Sequence, residues 1–103
     1  MQNITINYLQ RYIKQKEHNP QLKEKFFMKL SEEVGELAEA MLKNPERATE
    51  QNIKGTIEEE LWDVMYYCLL IANSYDIDME KWIPVKEKIN NEKWNYNFTF
   101  NPD

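Results

Sequence analysis

A chain of 103 residues fits one domain, and its two glycines among many Glu, Lys, Leu, Ile and Met residues favour helix throughout. A net charge of −5 without any basic block argues against a nucleic-acid backbone as the main partner. No apolar run approaches the roughly 20 residues that span a bilayer, the start Met1-Gln2-Asn3-Ile4-Thr5 lacks the pattern of a secretory signal, and the single cysteine, Cys68, fits a reducing compartment, so cytoplasm is the expected location.

Four helical segments are expected inside one domain, residues 1–103, with a core over about 5–94 and an extended tail over 95–103. The first helix runs from about Thr5 to Glu17, with Ile6, Leu9, Tyr12 and Ile13 at helical spacing. His18-Asn19-Pro20 ends it, because a residue before proline is biased away from helix. The second runs from about Gln21 to Lys43, with a stripe of Phe27, Leu30, Val34, Leu37 and Met41, and Asn44-Pro45 ends it. Glu46 to Asn52 reads as a polar connection.

The third runs from about Gly55 to Tyr75 and carries Ile57, Leu61, Val64, Cys68, Ile71 and Tyr75. Leu69, Leu70 and Ala72 widen that stripe, so this helix is expected to be the most buried. The fourth begins at Asp78, an N-cap residue type, and runs to about Trp94. Pro84 either kinks it or marks a later start. Its stripe, Trp82, Val85, Ile89 and Trp94, is thin, and Phe98 and Phe100 in the tail need a cover.

Helices two and three contain the same small pattern. Glu32-Glu33-Val34-Gly35-Glu36-Leu37 aligns with Glu59-Glu60-Leu61-Trp62-Asp63-Val64: acid, acid, apolar, variable, acid, apolar. Acids three residues apart share one side of a helix. At about 100° per residue, Glu33 and Glu60 lie roughly 70° from the stripe, and Glu36 and Asp63 about 130° on the same flank. Glu32 and Glu59 look more outward. Two antiparallel helices with the same flank relation are related by an approximate two-fold axis, which brings the acid pairs face to face.

Acid-rich helix faces are usually solvated and paired with lysine at i+4. Here the bases are scarce: only Lys29 and Lys43 are in reach on helix two, and only Lys54 near the start of helix three. A converging cluster of carboxylates without bases repels itself unless a cation sits in it. Oxygen-only ligands select a hard cation, Mg²⁺ or Mn²⁺ over zinc. A di-iron bundle would use Glu-x-x-His pairs, and the only histidine, His18, lies outside both motifs.

These residues resemble the MazG-type all-α nucleoside triphosphate pyrophosphohydrolases. The family pattern, Glu-Glu-x-x-Glu followed by Glu-x-x-Asp, stands here as Glu32-Glu33-x-x-Glu36 and Glu60-x-x-Asp63, and the resemblance extends over about Lys29 to Trp94. It implies an all-α, four-helix bundle-like MazG-type fold assembled as a homodimer or homotetramer, with a nucleotide as substrate. The implied reaction is Mg²⁺-dependent cleavage between the α and β phosphates, giving a monophosphate and pyrophosphate. Glu33, Glu36, Glu60 and Asp63 would hold the metal. Glu32 would order a second ion or act as base. Lys88, Asn91 and Lys93 would contact phosphates, and Trp62, Tyr66, Phe27 and Trp94 are candidates for stacking on the base. Trp62 stands where the family more often has a small residue, and Lys93 where an arginine is common. A non-catalytic helical assembly module and the related phosphoribosyl-ATP pyrophosphohydrolase are the alternatives. The former accounts for the apolar faces and leaves the aligned acids unexplained.

Overall fold

The first helix is fixed by its ends. In the computed structural model, which describes residues 2–43, 46–95 and 97–102, α1 spans Ile6–Lys16. The Thr5 hydroxyl accepts from the Tyr8 N–H at 3.0 Å and so satisfies one otherwise orphaned donor. Lys14 and Lys16 sit in the last turn, where positive charge complements the helix dipole. Glu17 turns extended, and Pro20–Leu22 forms a 3₁₀ turn before α2, Lys23–Lys43. The sequence placed the start of α2 at Gln21. Pro20 tightens that entry into the 3₁₀ turn, since a proline at a first helical position forfeits no bonded N–H. Asn44 and Pro45, expected to end α2, lie outside the described residues.

The connection is irregular rather than helical, with Thr49 and Asn52 exchanging backbone hydrogen bonds at 3.1 Å. Gly55 then takes φ 78°, a left-handed conformation that a side chain would strain. It delivers buried Thr56 as the cap of α3, Ile57–Ser74. The Thr56 hydroxyl accepts from the Glu59 N–H at 3.3 Å and donates to the Ile53 carbonyl at 2.6 Å. Helix α4 spans Met79–Lys93, with the Asp78 carboxylate accepting from the Glu80 N–H at 3.0 Å. Pro84 lies inside this one helix and does not start it. Residues 97–102 have no regular secondary structure, and among the described residues there is no strand.

Helices α2 and α3 run antiparallel in a constant register. Glu36 meets Glu60, Glu33 meets Asp63, and Phe26 shares the core with Leu69 and Leu70. Ile13 of α1 completes that core, and Leu9, Tyr66, Tyr67, Ile71 and Met79 pack against it. A neutral polar network ties the other end. Gln10 Nε2 donates to Asn73 Oδ1 at 2.9 Å and to the Ile77 carbonyl at 2.8 Å. Asn73 Nδ2 returns a bond to the Gln10 carbonyl at 2.9 Å, and the Met79 N–H donates to Gln10 Oε1 at 3.1 Å. Asn7 N–H reaches Glu80 Oε2 at 2.7 Å, so α1 is clamped to both α3 and α4.

The packed line of α2 is displaced from the stripe read in the sequence. Phe26 and Ala40 are buried and Glu33 is half-buried, while Phe27, Val34 and Met41, each one residue later, are exposed. Helix α3 repeats this: Glu60 is buried, whereas Leu61, Cys68 and Tyr75 face outward. Trp82, Val85 and Ile89 of α4, and Tyr12 of α1, are also exposed. The reason is that α1 covers one side of the α2–α3 pair, while these apolar residues stay exposed among the described residues. The expectation that α3 is the most buried helix holds, since it contributes six buried residues against two from α2.

Candidate functional site

The seam between α2 and α3 contains the acids. Carboxylate oxygens of Glu33, Glu36 and Glu60 lie within 4.8 Å of one another, and so do those of Glu59, Glu60 and Asp63. The groups share Glu60, which is only 8 % exposed. Glu33 Oε2 and Glu60 Oε2 are buried and have no hydrogen-bond partner. Among the described residues the ion pairs are Lys29–Glu32 at 3.2 Å and Arg47–Glu58 at 2.8 Å, and neither reaches the cluster.

Electrostatics follow from that placement. Burial, then the neighbouring Glu36, then the charges of Asp63 and Glu60 push the Glu33 carboxyl up to about 7. Burial, Glu36 and Asp63 raise Glu60. Burial, Glu59 and Glu36 raise Asp63. Each carboxyl thus resists ionising beside the others, which is what like charges in a partly dry seam do.

The residues singled out in the sequence fall into three places. Glu33, Glu36, Glu60 and Asp63 come together at the seam. Glu32 does not, for it is exposed and pairs with Lys29. Glu59, read from the wheel as outward, is half-buried and belongs to the cluster, with its Oε1 accepting from the Gly55 N–H at 2.8 Å. The turn at Gly55 folds back over the first turn of α3 and holds Glu59 inward. The signal in the sequence was its i,i+4 spacing to Asp63. Trp62 stands beside the acids, edge-on to Tyr66 at 6.0 Å, on a pocket wall that includes Glu33 and Asp63.

Lys88, Asn91 and Lys93 lie elsewhere. Lys88 and Asn91 line a cavity of about 520 Å³ between α4 and the tail, with Phe98 and Phe100 and without any of the acids. Asn91 Nδ2 donates to the Phe98 carbonyl at 3.2 Å, and Lys93 Nζ lies over the Trp94 ring at 5.2 Å. Within one chain, the structure does not bring them to the acid seam.

Comparison with known proteins places this seam inside one family's domain. The MazG nucleotide pyrophosphohydrolase domain matches residues 21–94, which include every acid of the cluster. The chain belongs to the MazG nucleotide pyrophosphohydrolase family. As a MazG protein it is a nucleotide pyrophosphohydrolase, a hydrolase acting on nucleoside triphosphates. The crystal structure of Ntag-iMazG from Vibrio DAT 722 is 38 % identical with a TM-score of 0.80, over 92 % of this chain and 100 % of that one. That of Ctag-iMazG from the same source is 39 % identical with a TM-score of 0.78, over 84 % of this chain and 98 % of its own. No curated protein matches. The MazG fold is therefore all-α here, and the match leaves no place for a purely non-catalytic module. Helix α1 lies outside the matched residues. No helix among the described residues is long and apolar enough to cross a membrane.

Proposed function

We propose that this MazG protein is a divalent-metal-dependent enzyme that cleaves the α–β phosphate bond of a nucleoside triphosphate, releasing a monophosphate and pyrophosphate. The observation that carries the reading is the pair of buried, partnerless oxygens, Glu33 Oε2 and Glu60 Oε2, inside a one-sign cluster. Buried polar atoms are nearly always paired, so two orphans on facing helices argue for a missing positive partner. The donor set is oxygen only, which fits Mg²⁺, with Mn²⁺ as substitute, and does not fit zinc or iron.

Glu33, Glu36, Glu60 and Asp63 would hold the ion, and Glu59 is added to that set by its position. Bound there, a divalent cation neutralises phosphate charge and makes water a better nucleophile near neutral pH. The chain's own contribution is preorganisation. Helix α2 supplies one acid pair, α3 supplies the other, and the rigid antiparallel register fixes their separation before substrate arrives. Glu32, exposed and paired with Lys29 away from the seam, is given no role in the reaction. Trp62, on a pocket wall with Glu33 and Asp63, would meet the nucleoside end. Lys88, Asn91 and Lys93, away from the seam within one chain, would contact phosphates only across an assembled interface; alanine at each would then raise KM without weakening metal binding.

Assembly belongs to the same reading. Phe27, Val34 and Met41 on α2 and Leu61, Met65 and Tyr75 on α3 are all between 46 % and 64 % exposed. Val34 and Leu61 are equivalent positions of the repeated acid pattern and both are exposed, so the α2–α3 pair presents apolar residues outward from both helices. Such a face on so small a chain is the mark of a homodimer or homotetramer. Sedimentation should give a species of two or four chains, and a stable monomer would contradict it.

The test of the chemistry is product analysis. With Mg²⁺ and a nucleoside triphosphate, chromatography should show the monophosphate and pyrophosphate in equal amounts and no diphosphate. Diphosphate with inorganic phosphate, or undiminished turnover in excess chelator, would overturn the proposal.

A further inference from the structure

The α1 end of the seam contains a second chemistry. Beside the acid cluster lies a pocket of about 360 Å³ that has Glu33 and Asp63 on one side and Lys16 and Glu17, from the end of α1, on the other. Trp62 and Tyr66 form the wall between, with ring centroids 6.0 Å apart and planes at 80°. The Tyr66 hydroxyl donates to Glu17 Oε1 at 3.0 Å, which fixes a carboxylate at the pocket rim. Lys16 Nζ lies over the Tyr66 and Tyr12 rings, at 5.2 and 5.6 Å.

We infer that Glu17, held in place by Tyr66, is a specificity-determining residue that reads the edge of the nucleobase. The inference rests on the metal-and-phosphate reading of the acid cluster. If the phosphates are held at Glu33, Glu60 and Asp63, the nucleoside points along the same pocket toward the aromatic wall and α1. A flat base stacked on Trp62, which stands edge-on to Tyr66, presents its hydrogen-bonding edge to the rim. A carboxylate is acceptor-only and has acceptor sites beyond the one Tyr66 uses, so it favours bases by the N–H groups on that edge. Purely structural work for Glu17 is already done by others. The Gln10–Asn73 network and buried Ile13 anchor α1 without it, and Glu17 is an exposed residue past the last helical turn.

The experiment compares kcat/KM for the four common deoxynucleoside triphosphates in the full chain, its E17Q and its Y66F variants, all with Mg²⁺. Replacing an acceptor-only group by an amide that also donates should change the ratio of best to worst substrate by about tenfold or more. Y66F keeps the carboxylate but frees its orientation, so it should move the same ratio in the same direction by less. A parallel change across all four substrates, or none, overturns the inference. If the unaltered protein hydrolyses none of the four, the proposed reaction fails instead. The ranking of their binding, followed by tryptophan fluorescence in the same three proteins, then decides on Glu17 by the same criterion.

Discussion

The molecule has two polar clusters that each include buried groups but have opposite character. At one end, Gln10, Asn73, the Ile77 carbonyl and the Met79 N–H are neutral and bonded to one another. At the α2–α3 seam, Glu33, Glu36, Glu59, Glu60 and Asp63 share one sign, and two buried oxygens have no partner. The first cluster is complete within the chain and clamps three helices. The second is not complete among the described residues. Burial by itself is therefore a poor guide to function, whereas burial without satisfaction is a good one.

The sharpest way to break the comparison is to remove charge from the seam. If the proposed metal site is right, Glu60→Gln and Asp63→Asn should each lower kcat by at least about 10²-fold, since each removes a proposed ligand of the ion. Melting temperature without metal should stay equal or rise, because each substitution removes a like charge. A fall in both activity and stability would move the acids into the structural class. Mg²⁺ extends the same test. In the unaltered chain, free metal at about 100 times its Kd should stabilise by about 2.7 kcal/mol through linkage, raising Tm. Both variants should lose most of that shift.

The amide cluster should respond in reverse. Asn73→Ala strands the Gln10 side chain in a buried site and should cost about 1–3 kcal/mol. For a chain of this length that is a fall in Tm of roughly 5–15 °C. Turnover per folded molecule, measured well below the new Tm, should stay within about twofold of the unaltered protein. A selective loss of kcat without loss of Tm would erase the distinction between the clusters.

The helices and the meeting of the acids were legible because both rest on local rules. Thr5 and Asp78 are cap residues whose side chains bond the first turn, and three-residue spacing puts acids on one flank whatever else the chain does. What was not legible depended on partners. Phe27, Val34 and Met41 read as a core stripe because periodicity reports an apolar face without saying who covers it. Glu59 read as outward because the wheel contains no information on the Gly55 turn that folds over it. Lys16 and Glu17 were invisible as pocket residues, since only the packing of α1 against α3 sets them opposite the acids.

The smallest predicted effect concerns protons. Glu33 has an ordinary carboxyl pKa of 4.5 when unfolded and about 7 when folded. The folded state therefore holds an extra proton between those values. Its stabilising contribution is fully present below about pH 4.5 and is lost as pH rises through about 7. Glu60 and Asp63 are shifted in the same direction and add to it. Glu58 is shifted the other way, by its own backbone N–H and by Arg47. Its contribution is present above the ordinary carboxyl pKa and is lost only as pH falls below it, so the two windows do not overlap. In chelator, Tm should fall as pH rises from 5 to 7.5. Excess Mg²⁺ should flatten that slope, because a cation favours the ionised carboxylates that the empty cluster resists. Glu33→Gln should flatten it with or without metal. A slope that Mg²⁺ leaves unchanged would mean that the seam's protons and its cation are not competing for the same oxygens.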